Sequence, residues 1–151
     1  INDAKALYEI LGNKETGSYY KSNLKILTGK KATRKGILNA FDDLLERTDE
    51  NSSVFLFYSG HGGMYSDNTF IKDEAKKKPE AENQKYLHLS PNDNEPKTYT
   101  STCIKADDIK YKKSQLKTRR LIFILDSCHA AVLTAVVSGL KHKHTNADRL
   151  A

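Results

Sequence analysis

The chain has 151 residues, with 25 Lys and Arg against 19 Asp and Glu, five His and two Cys. That length supports one domain with a real core and is too short for two. At 38% hydrophobic and 29% charged residues it has a globular composition, and no apolar run approaches the roughly 20 residues of a membrane span. The formal charge of +6 raises nucleic-acid binding, but the Lys residues are scattered through mixed stretches such as KDEAKKKPE (72–80) and IKYKKSQLKTRR (109–120). Without the aromatic interleaving of a nucleic-acid face, a solvated basic surface is the better account. Two cysteines with no CxxC spacing argue against a disulfide framework or a zinc knuckle and suit a reducing, cytoplasmic setting.

No secretory leader is evident at the start, where INDAKALYEIL already has the pattern of an amphipathic helix. The absence of an opening Met leaves room for residues upstream. Ala4, Leu7, Ile10 and Leu11 share one face of a helix expected over about 3–13, with Gly12 as its stop. Leu24–Leu27 is expected to be a short strand. A helix follows over 33–47, capped by Thr33, with Ile37, Leu38, Phe41, Leu44 and Leu45 at helical spacing. Ser53–Ser59 (SVFLFYS) is a near-continuous apolar run, as in a strand buried on both faces. Residues 60–84 are expected to form a long polar loop, 86–89 a short strand and 107–116 a short helix. Leu121–Leu125 (LIFIL) is the second strand expected to be buried on both faces, and CHAAVLTAVVSGL (128–140) an apolar helix. Residues 1–140 are therefore assigned to the domain and 141–151 to a polar tail or processing linker.

Strands and helices alternate, which predicts an α/β fold with a mainly parallel sheet and helices on both faces. Only three core strands are evident and none follows the last helix. The sheet is expected to be incomplete, its other strands lying beyond the chain ends or coming from another chain.

Reactive groups concentrate in SGHGG (59–63) and LDSCHAA (125–131), each directly behind an apolar strand. Parallel sheets bind ligands along the carboxyl edge of their strands. If these strands are neighbours, His61 and Cys128 emerge together. A thiol attacks as thiolate, and an imidazole beside it can take the proton and hand it to a leaving amine. Cys128 is expected to open a helix whose macrodipole favours the thiolate. The N–H groups of Cys128 and Gly62 are candidates for an oxyanion hole. Taken alone, a Cys behind a strand is usually a small core residue, and a His among glycines a loop residue; the pairing of the two motifs carries the argument. Cys103 has no such setting and is assigned a structural role. His88 lies in a short strand, and His142 and His144 lie in the tail as solvated residues. His129 would sit about 100° around the helix from Cys128 and is a poor base for it.

At these motifs the sequence resembles caspase-like cysteine peptidases, and their metacaspase and bacterial branch more than the animal caspases. NDA (2–4), ATRKGILNAFDDLL (32–45), VFLFYSGHGG (54–63) and LIFILDSCHA (121–130) occur in the family's order. The resemblance implies a three-layer caspase-like sandwich, a His61–Cys128 dyad, and Gly62 and Cys128 N–H groups for the oxyanion. It implies an endopeptidase cutting after Arg or Lys, with Asp3, Ser59 and Asp126 at the positions of the acidic specificity pocket. A carboxylate at Asp126 suits a bidentate guanidinium. The alternative for Asp126 and Asp3 is helix capping.

The family usually has Ser-Gly after the Cys-His pair, where this chain has Ala130-Ala131. Some metacaspases bind calcium as an activator; Asp93, Asp107 and Asp108 match three of the aspartates, while Ala135 stands at the fourth position, and ordinary surface acids are the alternative. No cofactor is required for the chemistry. The family's opening strand and two closing strands are not found, which casts this chain as the large catalytic subunit beside a small-subunit partner, with candidate self-cleavage after Lys141, Lys143 or Arg149. Legumain- and GPI-transamidase-like enzymes share a Gly-His-Gly and an Asp-x-Cys, and a silent interaction scaffold is the non-enzymatic alternative. Neither a membrane nor a nucleic-acid partner is expected for this chain.

Overall fold

A computed structural model of the chain describes residues 2–138 apart from 67, 70, 83, 96 and 97. Helix α1 (Asn2–Leu11) opens the chain, and its end is marked by Gly12, whose N–H donates to the Tyr8 carbonyl at 3.1 Å. Leu24–Leu27 joins no ladder, so the strand expected there is not formed among the described residues. Helix α2 (Arg34–Arg47) starts where its cap dictates: Thr33 Oγ1 accepts from the Gly36 N–H at 3.0 Å. Its apolar stripe buries Phe41.

Strand β1 (Ser53–Ser59) leads into β2 (Gly62–Ser66), which pairs antiparallel with β3 (Lys85–Leu89). The loop expected over 60–84 therefore contains a strand. Two glycines open β2 and hide it from a composition rule, but Tyr65, 5% exposed, stacks on Tyr86 with ring centroids 5.0 Å apart. This cross-strand aromatic pair supports the ladder. After the short helix α3 (Tyr99–Thr102), β4 (Ile104–Lys105) extends this sheet, in the order β2-β3-β4. Helix α4 (Ala106–Gln115) begins with Asp108 Oδ2 accepting from the Lys105 N–H at 3.1 Å.

Strand β5 (Arg120–Asp126) lies parallel to β1 over seven rungs, from Ser53 opposite Arg120 to Ser59 opposite Asp126. The α/β class stands, but among the described residues the mainly parallel sheet is represented by this one pair beside a separate three-stranded antiparallel sheet. Leu56, Tyr58, Phe123 and Leu125 face a core built with Phe41 of α2, Ile109 of α4, Leu133 and Val137 of helix α5 (Ala130–Ser138), and Leu89 and Ile104 of the antiparallel sheet. Helix α1 contributes nothing to that core and approaches β1 from outside it. The expectation that both apolar strands are buried on two faces fails for β5. Burial alternates along it, leaving Ile122 57% and Ile124 44% exposed. Among the described residues no helix is long and apolar enough to cross a membrane. The tail at 141–151, with His142 and His144, lies outside the described residues.

Candidate active site

The last rung of the parallel pair, Ser59 opposite Asp126, organises the site. Two bonds close the strands there: Ser59 Oγ donates to Asp126 Oδ2 at 3.2 Å, and the Gly60 N–H donates to the Asp126 carbonyl at 3.1 Å. His61 and Cys128 each follow that rung by two residues, and both side chains are exposed. The two loops touch. A β-carbon added to Gly62 would stand 2.8 Å from the Cys128 carbonyl oxygen and 3.1 Å from Ser127 Oγ. Only a glycine admits that approach.

The His61 loop is held from the other side as well. Its carbonyl accepts from the Ser90 N–H at 2.9 Å, tying the loop to the end of β3. It also accepts from the Tyr58 hydroxyl at 2.8 Å, whose proton is shared with the Ser90 carbonyl at 3.1 Å. Burial raises the Tyr58 phenol above its ordinary value, so it stays a donor through the neutral range. In an antiparallel ladder, bonded and non-bonded pairs alternate. With Ser90 bonded to His61, the next pair, Gly62 with Leu89, is non-bonded. The Gly62 N–H therefore points away from β3, on the edge of β2 that pairs with no strand among the described residues.

Cys128 does not open helix α5 as expected. The helix begins at Ala130, and Cys128 lies in a turn closed by the Ala130 N–H on the Ser127 carbonyl at 3.2 Å. His129 takes a left-handed conformation, φ 61°, which interrupts the helical run. A non-glycine residue there costs about 1–2 kcal/mol, strain that concentrates at functional turns. Cys128 therefore stands two residues ahead of the helix rather than in its first turn. His129 is exposed at that bend rather than on the helix face.

Asp126 is exposed, bonded to Ser59, and caps no helix; no described residue forms an ion pair with it. Asp3 lies exposed in the first turn of α1, and its side chain makes no hydrogen bond or ion pair with Ser59, Asp126 or any other described residue. Two of the three acids matched to a calcium site are engaged by one arginine. Asp93 Oδ1 accepts from the Arg34 N–H at 2.8 Å, and Asp108 Oδ2 pairs with the Arg34 guanidinium at 3.2 Å. Among the described residues no three His, Cys, Asp or Glu side chains form a metal-holding group. The residues present do not fit a calcium ion, which asks for six or more oxygens.

Cys103 is 1% exposed, and burial pushes its thiol up, consistent with its structural assignment. His88 is 2% exposed, packed on Tyr65 with ring centroids 5.6 Å apart. Sequence reasoning missed two residues at the site. Tyr58 passed as one more aromatic of a buried strand, although the glycine two positions on was a signal: a β-carbon at Gly60 would stand 2.8 Å from the Tyr58 hydroxyl oxygen. Ser127 carried no signal beyond its place between Asp126 and Cys128; its Oγ is buried with no partner among the described residues.

The caspase-domain family model matches residues 1–149, and the chain belongs to this family of cysteine peptidases. A comparison with curated proteins finds no match.

Proposed function

We propose that this chain is a cysteine endopeptidase of the metacaspase type that cleaves after Arg or Lys. One observation supports it above the rest: His61 and Cys128 leave the same final rung of a parallel strand pair, at its carboxyl edge, on loops in van der Waals contact.

Cys128 gives its proton to His61, and Sγ attacks the peptide carbonyl carbon. The Gly62 and Cys128 N–H groups hold the resulting oxyanion. His61 then protonates the amine nitrogen as the C–N bond breaks, leaving a thioester on Cys128. Water, deprotonated by His61, attacks the thioester carbonyl; the acid leaves and Sγ recovers its proton. No cofactor enters these steps. Asp126, unpaired with any described cation and supported by Ser59, offers its carboxylate to a substrate guanidinium or ammonium.

The exposed Ile122 and Ile124 on β5 support a further expectation, that more polypeptide, a small-subunit partner, covers this surface. Its production by self-cleavage after Lys141, Lys143 or Arg149 concerns residues outside the described ones.

Reporter peptides ending in Arg, Asn or Asp test the proposal against wild type and Cys128→Ala. Hydrolysis of the Arg peptide alone, lost in Cys128→Ala, is expected. Preference for Asn would move the chain toward legumain-like enzymes. No hydrolysis, with no labelling of Cys128 by an Arg chloromethyl ketone, would point to an interaction scaffold. Fragments seen in the wild type and missing from Cys128→Ala would locate the self-cleavage sites.

A further inference from the structure

The His61–Gly62 peptide unit has one end fully engaged. Its carbonyl accepts two bonds, from the Ser90 N–H at 2.9 Å and from the Tyr58 hydroxyl at 2.8 Å. The described chain has no cis peptide bond, so the N–H of the same unit, that of Gly62, points opposite to this carbonyl. It faces the edge of β2 that pairs with no strand among the described residues, beside the Cys128 turn.

We propose that Tyr58 is a positioning residue for the oxyanion donor: by gripping the His61 carbonyl, its hydroxyl aims the Gly62 N–H at the substrate oxygen under attack. This rests on the peptidase proposal above. Without that second grip the peptide plane pivots about the single Ser90 bond, and the N–H loses its aim. The grip also polarises the amide, because a hydrogen bond accepted at one end of a peptide unit strengthens the bond donated at the other. Tyr58 suits the task. Its ring is anchored in the core with Leu56, Phe123 and Leu125, so the hydroxyl is carried by a rigid element rather than a loop. Gly60 leaves the space through which that hydroxyl reaches the loop above.

The test uses Tyr58→Phe in the full-length protein, which deletes the hydroxyl and leaves the packing. Removing an entire oxyanion donor costs about 100- to 1000-fold in kcat, so misaiming one should cost roughly 5- to 20-fold. KM for an Arg reporter peptide should hold. An Arg aldehyde, which closes to a tetrahedral adduct and needs the oxyanion donors, should lose affinity by the same factor. Iodoacetamide, which alkylates Cys128 without forming an oxyanion, should react at the wild-type rate. A ring-fluorinated tyrosine at position 58 is a stronger donor and should bind the aldehyde at least as tightly as wild type; it carries the test if Tyr58→Phe does not fold.

Unchanged kcat and aldehyde affinity in a folded Tyr58→Phe would overturn the inference, as would a parallel fall in the iodoacetamide rate, which marks general loosening of the loop. If the wild type shows no hydrolysis dependent on Cys128, the peptidase proposal falls and takes this inference with it. An active wild type indifferent to Tyr58→Phe sinks the inference alone.

Discussion

Replacing Gly62 with alanine probes the contact on which the site depends. The new β-carbon would stand 2.8 Å from the Cys128 carbonyl oxygen, 3.1 Å from Ser127 Oγ and 3.3 Å from the His88 carbonyl oxygen. The first distance is 0.6 Å short of the 3.4 Å at which ordinary contact begins, and the obstacle is backbone, not the end of a flexible side chain. One backbone neighbour belongs to β3, which is locked into its sheet; the other belongs to the Cys128 turn. Relief therefore comes from moving the turn away from His61 by about half an ångström. A misplacement of about 1 Å costs on the order of 100-fold in rate, so roughly ten-fold is expected in kcat/KM. Overpacking of this kind costs about 1–3 kcal/mol, and each kcal/mol lowers Tm by roughly 2–4 °C in a domain of this size. The assay pairs kcat/KM on an Arg reporter peptide with a thermal melt. A Gly62→Ala protein with wild-type kcat/KM and wild-type Tm would refute the contact and the site built upon it.

Asp126→Asn keeps the Ser59 contact but removes the charge; a hydrogen bond to a charged group is worth about 1.5–3 kcal/mol, so kcat/KM for an Arg peptide should fall about 10- to 150-fold while iodoacetamide labels Cys128 as before. Equal loss in both assays would assign Asp126 to structure rather than specificity. Leu133, 1% exposed in the core cluster, should cost about 2–5 kcal/mol on truncation to alanine, read from urea unfolding. Stability should also fall in mild acid through His88. Burial, aided by the nearby charge of His129 and opposed by a backbone bond at Tyr86, holds its imidazole below the ordinary value. The unfolded chain then binds the proton first, so stability present above about pH 6.5 declines as pH drops toward the depressed folded value. His88→Gln should flatten that slope in melts taken across the range, and an unchanged slope would assign it to other groups.

Several elements were legible because their signals are local. Thr33 followed by Ile37, Leu38 and Phe41 announces α2 to within a residue, and SVFLFYS coincides with β1. The Leu24–Leu27 run carried a strand's composition, but the described residues show no partner for it. Strand β2 was invisible because its first two residues are glycines; it exists through pairing with β3 and the Tyr65–Tyr86 stack. The two-sided burial expected for LIFIL failed for a related reason. Apolar composition measures what a strand tolerates, whereas the cover over Ile122 and Ile124 depends on what lies beside them.

By itself the sequence determined which residues carry reactive groups and that each follows an apolar strand, since a motif and its flanking pattern sit within a dozen residues. The family could be recognised from the same short stretches. Only the tertiary structure decided that Ser59 stands opposite Asp126, that His129 bends the chain before α5 starts, and that Tyr58 grips the His61 carbonyl. It also engaged both Asp93 and Asp108 with Arg34. Strand register, loop contact and the competition of one carboxylate for several partners are settled between segments far apart in the chain, where no local window of residues can weigh them.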